Sequence, residues 1–183
     1  TEIVEDLLTL SRLDASDAAS NPERVALAPM LETLRREAEA LSKGRHRISV
    51  RRESEFDLSG SVKDLHSAFS NLVSNAVRYT PEDGDIAIAW SVDEDGGRLE
   101  VVDSGPGIPA HHIPRLTERF YRVSTSRSRE TGGTGLGLSI VKHVLQLHDA
   151  HLQIVSEMGI GSRFACVFDR ARLLAAGVAG EDG

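Results

Sequence analysis

At 183 residues, with 40% hydrophobic and 27% charged side chains, the chain has the balance of a globular protein long enough for one core plus an appendage. Aromatics make up only 4%, so the core must be mainly aliphatic, and a formal charge of −7 argues against nucleic acid as a partner. The single cysteine, Cys166, has no mate for an internal disulfide and reads as a buried thiol in an apolar run. No stretch is apolar enough to span a membrane, and Leu173–Gly180 is far too short, so no membrane contact is expected of this fragment.

Residues 1–16 read as an amphipathic helix, with Ile3, Leu7 and Leu10 on a seam and Val4 and Leu8 beside it. A helix this short is marginal alone. It fits two readings equally well: docked on the domain's own core, or one strand of a dimeric helical stalk. Because Thr1 already lies inside the helical pattern, the chain reads as a segment of a longer protein. Residues 17–24 form a polar linker, and a mixed domain then runs over 25–169.

Within that domain, residues 29–43 predict a helix opening at Pro29, and 46–53 alternate as a strand. Ser61 caps the next helix, with Asp64 three residues on and Leu65, Phe69, Leu72 and Val73 at helical spacing. Strands follow at 85–92 and 98–103, joined by a turn at Asp95-Gly96-Gly97. A loop-rich stretch covers 104–134. After it come a helix to about 147, strands at 151–156 and 162–168, and a tail over 170–183 that should fray. Strands on one side and helices on the other give an α+β fold, a two-layer α/β sandwich.

Three segments carry chemistry. Asp103-Ser-Gly-Pro-Gly-Ile108 follows a strand, and Gly132-Gly-Thr-Gly-Leu-Gly-Leu138 precedes a helix. Neither is a P-loop, since no Gly-Lys-Ser/Thr follows, and neither fits G-x-G-x-x-G. Glycines there still let a backbone approach phosphate, with helix N–H groups pointing at the anion. A turn is the commoner explanation of either glycine run alone. Asn71, Asn75 and Arg78 share one helical face. A carboxamide oxygen is a hard ligand suited to Mg²⁺, and Arg78 suits phosphate. A hydrogen-bonded core asparagine would explain one of the pair more readily than both. Asp103 has the common reading of a turn former. Beside a purine, its carboxylate would accept from the exocyclic amine of adenine and oppose the O6 of guanine.

Together, in this order and spacing, these segments resemble the catalytic domain of the bacterial sensor histidine kinases. Asn71–Tyr79-Thr-Pro81 looks like that family's N box, Asp103–Ile108 its first glycine box, Glu118–Arg122 its F box and Gly132–Leu138 its second glycine box. The runs at 7–13, 116–123 and 137–143 look most like the phosphate-regulon members. The resemblance implies the ATP-binding (Bergerat) sandwich shared with gyrase and the mismatch-repair ATPases. It makes residues 1–16 the end of a dimerisation and phosphoacceptor stalk. It also implies that Asn75 coordinates Mg²⁺, Arg78 contacts phosphate, Tyr79 packs near the nucleotide and Asp103 reads adenine. Asn71, Gly105, Gly107, Ile108, Gly133, Thr134, Gly135, Leu136, Gly137 and Leu138 complete the implied ATP site. Residues 122–133, with Arg122, Arg127 and Arg129, would form a mobile lid, with Phe120 packing at its base. Thr117 departs from the phenylalanine that many relatives keep. Implied partners are an upstream stalk, a cognate response regulator and a second copy, in a cytoplasmic domain of an inner-membrane sensor.

Two departures bound the chemistry. The acceptor histidine with its acidic neighbour has no match here, so His46, His66, His111, His112, His143, His148 and His151 read as structural or surface residues. His148-Asp149 mimics the pair, but it lies past a helix end where histidine meets the final carbonyls. The hydrolytic relatives place a glutamate four residues before the magnesium-binding asparagine. Asn71 stands there and cannot act as a base.

Overall fold

The computed structural model describes residues 2–15, 21–121 and 135–176. Its elements in chain order are α1 (Glu2–Asp14), β1 (Glu23–Val25), α2 (Leu27–Ser42), β2 (Arg47–Arg52), β3 (Asp57–Gly60) and α3 (Val62–Tyr79). There follow β4 (Asp85–Asp93), β5 (Gly96–Asp103), a 3₁₀ helix (Ala110–Arg115), α4 (Gly137–Leu147), β6 (Ala150–Glu157), β7 (Gly161–Phe168), a second 3₁₀ turn (Arg170–Arg172) and β8 (Leu173–Leu174). A five-stranded sheet has the order β2-β4-β5-β7-β6, antiparallel except for β2 beside β4. A small sheet, β1-β3-β8, stands apart from it.

Strand alternation decides which face is covered. Ile86, Ile88 and Trp90 of β4, Leu99 and Val101 of β5, and Phe164, Cys166 and Phe168 of β7 are buried with Phe69 and Leu72 of α3 and Val141 and Val144 of α4. The few aromatics concentrate there: Phe168 meets Phe69 and Trp90 edge-on, with ring centroids 6.2 and 6.5 Å apart. Trp90 donates its indole N–H to the Phe56 carbonyl at 3.0 Å, satisfying the one polar atom it buries. Cys166 is fully buried, and burial pushes its thiol well above the ordinary range, so it is an inert core group. α3 begins as expected, with the Ser61 hydroxyl accepting from the Asp64 N–H at 3.2 Å. It ends at Tyr79 because Pro81 forces Thr80 out of the helical region, to ψ 126°.

Several expectations need correction. The expected linker gives way at Glu23 to β1, which pairs antiparallel with β3. The hairpin turn is Glu94-Asp95, held by Asp93 Oδ1 accepting from the N–H groups of Asp95 and Gly96 at 2.8 and 3.2 Å. Gly96 and Gly97 lie inside β5. A Cβ on Gly96 would sit 2.0 Å from the Phe168 carbonyl oxygen, and one on Gly97 would sit 2.5 Å from the Trp90 ring. These glycines make room for packing. The tail does not fray at Arg170: Leu173 pairs with Leu58 and Leu174 with Asp57, and Arg172 bonds Asp149 at 2.8 Å. α1 docks by its C-terminal end, where Leu10 and Leu13 are buried, while Ile3, Val4, Leu7 and Leu8 remain exposed.

Candidate functional site

β5 delivers Asp103 to the edge of the helical layer, between Ile86 of β4 and Ser162 of β7. Its Oδ1 accepts from the Gly105 N–H at 2.9 Å, which turns the chain sharply after the strand. Burial raises the Asp103 pKa, opposed by the N–H groups of Gly105 and Ser162. A turn former needs no such burial. A desolvated acceptor held by main-chain donors suits recognition of a donor-bearing ligand.

The first glycine run closes against two neighbours. A Cβ on Gly105 would lie 3.2 Å from the Tyr79 carbonyl oxygen, so this run abuts the end of α3. Gly107 has φ +82°, and a Cβ there would lie 2.4 Å from the Glu157 carbonyl oxygen. No side chain is tolerated at that contact. Ile108, partly buried against the core, donates its N–H to the Ser156 hydroxyl at 2.7 Å. Ser156 in turn meets the Ser162 hydroxyl at 2.7 Å. Ser104 links back to β4, its hydroxyl accepting from the Asp85 N–H at 2.8 Å. The serines at 104, 156 and 162 went unnoticed in the sequence because isolated serines carry no periodicity.

The two asparagines of α3 separate in role. Asn71 donates its amide to the Ser67 carbonyl at 2.8 Å, and its Oδ1 faces α4, 2.8 Å from where a Cβ on Gly137 would stand. Its amide group is thus tied within α3, and its oxygen lies close to the start of α4. Asn75 is half-buried, and no side-chain hydrogen bond ties it to another described residue. Its oxygen is therefore available as a ligand. Among the described residues no cluster of His, Cys, Asp or Glu could cage a metal ion. Arg78, one turn further, donates to the Ser74 hydroxyl at 3.3 Å, and Tyr79 stands 36% exposed at the helix end. The Thr80 hydroxyl beside it is buried without a hydrogen-bond partner among the described residues.

The second glycine run meets the F box. Phe120 donates its N–H to the Gly135 carbonyl at 2.8 Å, and a Cβ on Gly135 would lie 2.7 Å from the Phe120 Cα. Phe120 has φ +65°, a left-handed conformation that costs a bulky residue about 1–3 kcal/mol and needs surrounding structure to hold it. Leu136 is fully buried, Leu138 partly so, and α4 starts at Gly137 with no side-chain cap. Arg122, Arg127, Arg129, Gly133, Thr134 and the lid expected over 122–133 lie outside the described residues. The described site residues thus come together: Asp103, Gly105 and Tyr79 on one side, Asn71 and Gly137 on the other, with Asn75 and Arg78 on the helix that joins them.

The histidines behave as side chains of the scaffold. His148 is fully buried, its Nδ1 donating to the Val144 carbonyl at 2.8 Å and its Nε2 accepting from the Ser61 N–H at 3.0 Å. His46 bridges Ser42 and the Thr80 carbonyl. His66 pairs with Glu37 between α3 and α2.

Comparison with known proteins agrees with this geometry. Residues 60–172 match the histidine kinase-, DNA gyrase B- and HSP90-like ATPase family. The chain is 52% identical over 172 residues to the phosphate regulon sensor protein PhoR of Pseudomonas aeruginosa, covering 93% of this chain and 39% of that protein. It is 40% identical over 144 residues to PhoR of Haemophilus influenzae, covering 79% of this chain and 34% of that protein. The full-length ShkA structure in complex with AMPPNP superposes with a TM-score of 0.78 at 26% identity, over 96% of this chain and 36% of that one. The chain thus spans less than two-fifths of the length of these curated relatives. It belongs to the histidine kinase-, DNA gyrase B- and HSP90-like ATPase family and, within it, is a catalytic domain of the sensor histidine kinase type.

Proposed function

We propose that the chain binds Mg-ATP between α3, the first glycine run and the N-terminus of α4, and delivers the γ-phosphate to a histidine on a helical stalk. The observation that carries this reading is the convergence around α3. A desolvated carboxylate, a carboxamide oxygen with no described partner and two glycine runs packed too closely for side chains all meet there. Asp103, ionised, accepts from the adenine amine. Asn75 offers one oxygen to Mg²⁺, and Arg78 lies one turn on for phosphate oxygens. The uncapped start of α4 presents main-chain N–H groups to the same anion. Held by the Asn75 oxygen, Mg²⁺ would supply positive charge to offset the negative charge that develops during transfer. Asn71 donates its side-chain amide to the Ser67 carbonyl and offers no base, which favours transfer over hydrolysis.

The likeness to ShkA, solved in complex with AMPPNP, supports the nucleotide, and the phosphate-regulon sensor relatives support relay to a response regulator in phosphate sensing. α1, with Ile3, Val4, Leu7 and Leu8 exposed, is read as the end of a stalk that pairs with a second copy. No described helix is long and apolar enough to cross a membrane; we place this domain on the cytoplasmic side of a membrane-anchored sensor. The test is calorimetric titration with ATP, with and without Mg²⁺, on the chain and on Asn75→Ala. Magnesium-dependent binding that Asn75→Ala abolishes, with the fold intact, is expected. Binding that is indifferent to Asn75 overturns the assignment.

A further inference from the structure

The F box fastens, by successive residues, to three different parts of the molecule. Tyr121 meets His112 Nδ1 with its hydroxyl and carries the Arg115 guanidinium over its ring at 4.5 Å, which ties it to the 3₁₀ helix. Phe120 bonds Gly135 and so joins the two ends of the segment 122–134. Arg119 reaches away from the domain to α1, where one Nη bonds both carboxylate oxygens of Asp14 at 3.0 and 2.8 Å. His143 of α4 stands 3.4 Å from the same carboxylate, and the guanidinium holds Asp14 below its ordinary pKa. Asp14 lies outside the stretch that matches the family, in a helix whose neighbouring Leu13 is fully buried.

We infer that Arg119 is a positioning residue: pinned by Asp14, it holds Phe120 in the left-handed conformation that closes on Gly135, so that nucleotide affinity depends on where α1 sits. The physical reason lies in Phe120. Its backbone is strained, and a strained residue persists only when its flanks are fixed. Tyr121 is fixed on one side by His112 and Arg115. Arg119 is the flank on the other, and among the described residues its side chain is anchored by a carboxylate on a different helix. A shift of α1 relative to α4 is thereby transmitted through one side chain to the place where the F box meets the second glycine box. The proposal rests on the ATP reading for its consequence but not for its geometry.

The pair is about half exposed, with Arg119 at 47% and Asp14 at 45%, so its effect is modest and screened by salt. The experiment compares the chain with Asp14→Asn and with the reversed pair Asp14→Arg, Arg119→Asp. Without nucleotide, the Phe120 amide should exchange faster in Asp14→Asn while the core amide of Val101 keeps its protection. ATP with Mg²⁺ should bind about two- to fivefold more weakly to this variant at low salt and equally near 1 M salt, and the reversed pair should recover both properties. Unchanged Phe120 exchange in Asp14→Asn overturns the proposal, as does an equal loss of protection at Val101, which would mean general destabilisation. If the parent chain binds no ATP, the functional reading falls, while the Phe120 exchange still decides this one.

Discussion

Asp103 is where function and stability pull apart. Its carboxylate is desolvated by the fold, and that raises its pKa. A carboxyl whose folded pKa lies above its unfolded value stabilises the fold below the unfolded pKa, and that contribution is lost as pH rises through the folded pKa. At neutral pH the ionised group is therefore a cost to the empty protein. Asp103→Asn keeps the shape and the Gly105 bond but removes the charge. It should melt at a higher temperature than the parent at pH 7, with the gain shrinking in acid, while losing ATP affinity by about one to two decades along with discrimination against GTP. A lower melting temperature with unchanged nucleotide selectivity would show Asp103 to be a turn former only. Asn75 is the converse case. It is partly exposed and has no described partner, so Asn75→Ala should leave thermal stability within about 0.5 kcal/mol while removing magnesium-dependent binding.

At the scale of elements, His148 shows what the sequence could and could not tell. That it sits past a helix end and bonds a carbonyl there was legible from its place after Leu147. That its other nitrogen accepts from the Ser61 N–H, tying the end of α4 to the start of α3, was not, because 87 residues separate them. Burial lowers its pKa, so the neutral ring is the stabilising form. Stability from this source is complete above the unfolded value near pH 6.5 and is lost as pH falls through the depressed folded value. Denaturant unfolding from pH 7.5 to 5 should show that decline. His148→Ala should flatten it and cost about 1–3 kcal/mol at pH 7, since the Ser61 N–H loses its partner. A decline that persists in full in His148→Ala would assign it to other groups. α1 poses a similar question. Leu13 is fully buried, so Leu13→Ala should cost about 2–5 kcal/mol. A loss below about 0.5 kcal/mol would mean that α1 is a loose appendage.

Over the whole molecule, the long elements were legible because their hydrophobic periods are unambiguous. Phe69, Leu72 and Val73 mark one face of α3, and Ile86, Ile88 and Trp90 one face of β4. What escaped was short or set by tertiary contact. β1, β3 and β8 have 3, 4 and 2 residues, too few for a period to emerge, and they exist because they pair with one another. Gly96 and Gly97 looked like turn glycines; only the positions of Phe168 and Trp90 reveal that they make room. Asn71, Asn75, Arg78, Asp103 and Gly105 could be singled out in the sequence because they sit in contiguous motifs, and the structure gathers these around α3. The division of labour between Asn71 and Asn75 was not legible, since it depends on α4 closing over one of them. The F box's tie to α1 was invisible for the same reason, with Asp14 and Arg119 105 residues apart.

The central claim is transfer rather than hydrolysis, and the assembled site explains why the two should separate. Asn71, whose side chain donates to the Ser67 carbonyl, stands where a base would be needed, and each of the seven histidines is read as a scaffold or surface side chain. His66 beside Glu37 is the nearest imitation of an acceptor pair, but its Nε2 is already engaged by that carboxylate and by the Ser70 hydroxyl. What remains is the positioning and charge stabilisation on which phosphoryl transfer chiefly relies. The direct measurement is incubation with γ-labelled ATP and Mg²⁺, first of this chain alone and then mixed with a separately produced helical stalk carrying an acceptor histidine. The account predicts negligible label and little released phosphate from the chain alone, and acid-labile label on the stalk once it is added. Acid-labile label on the chain itself, or steady phosphate release without the stalk, would contradict it.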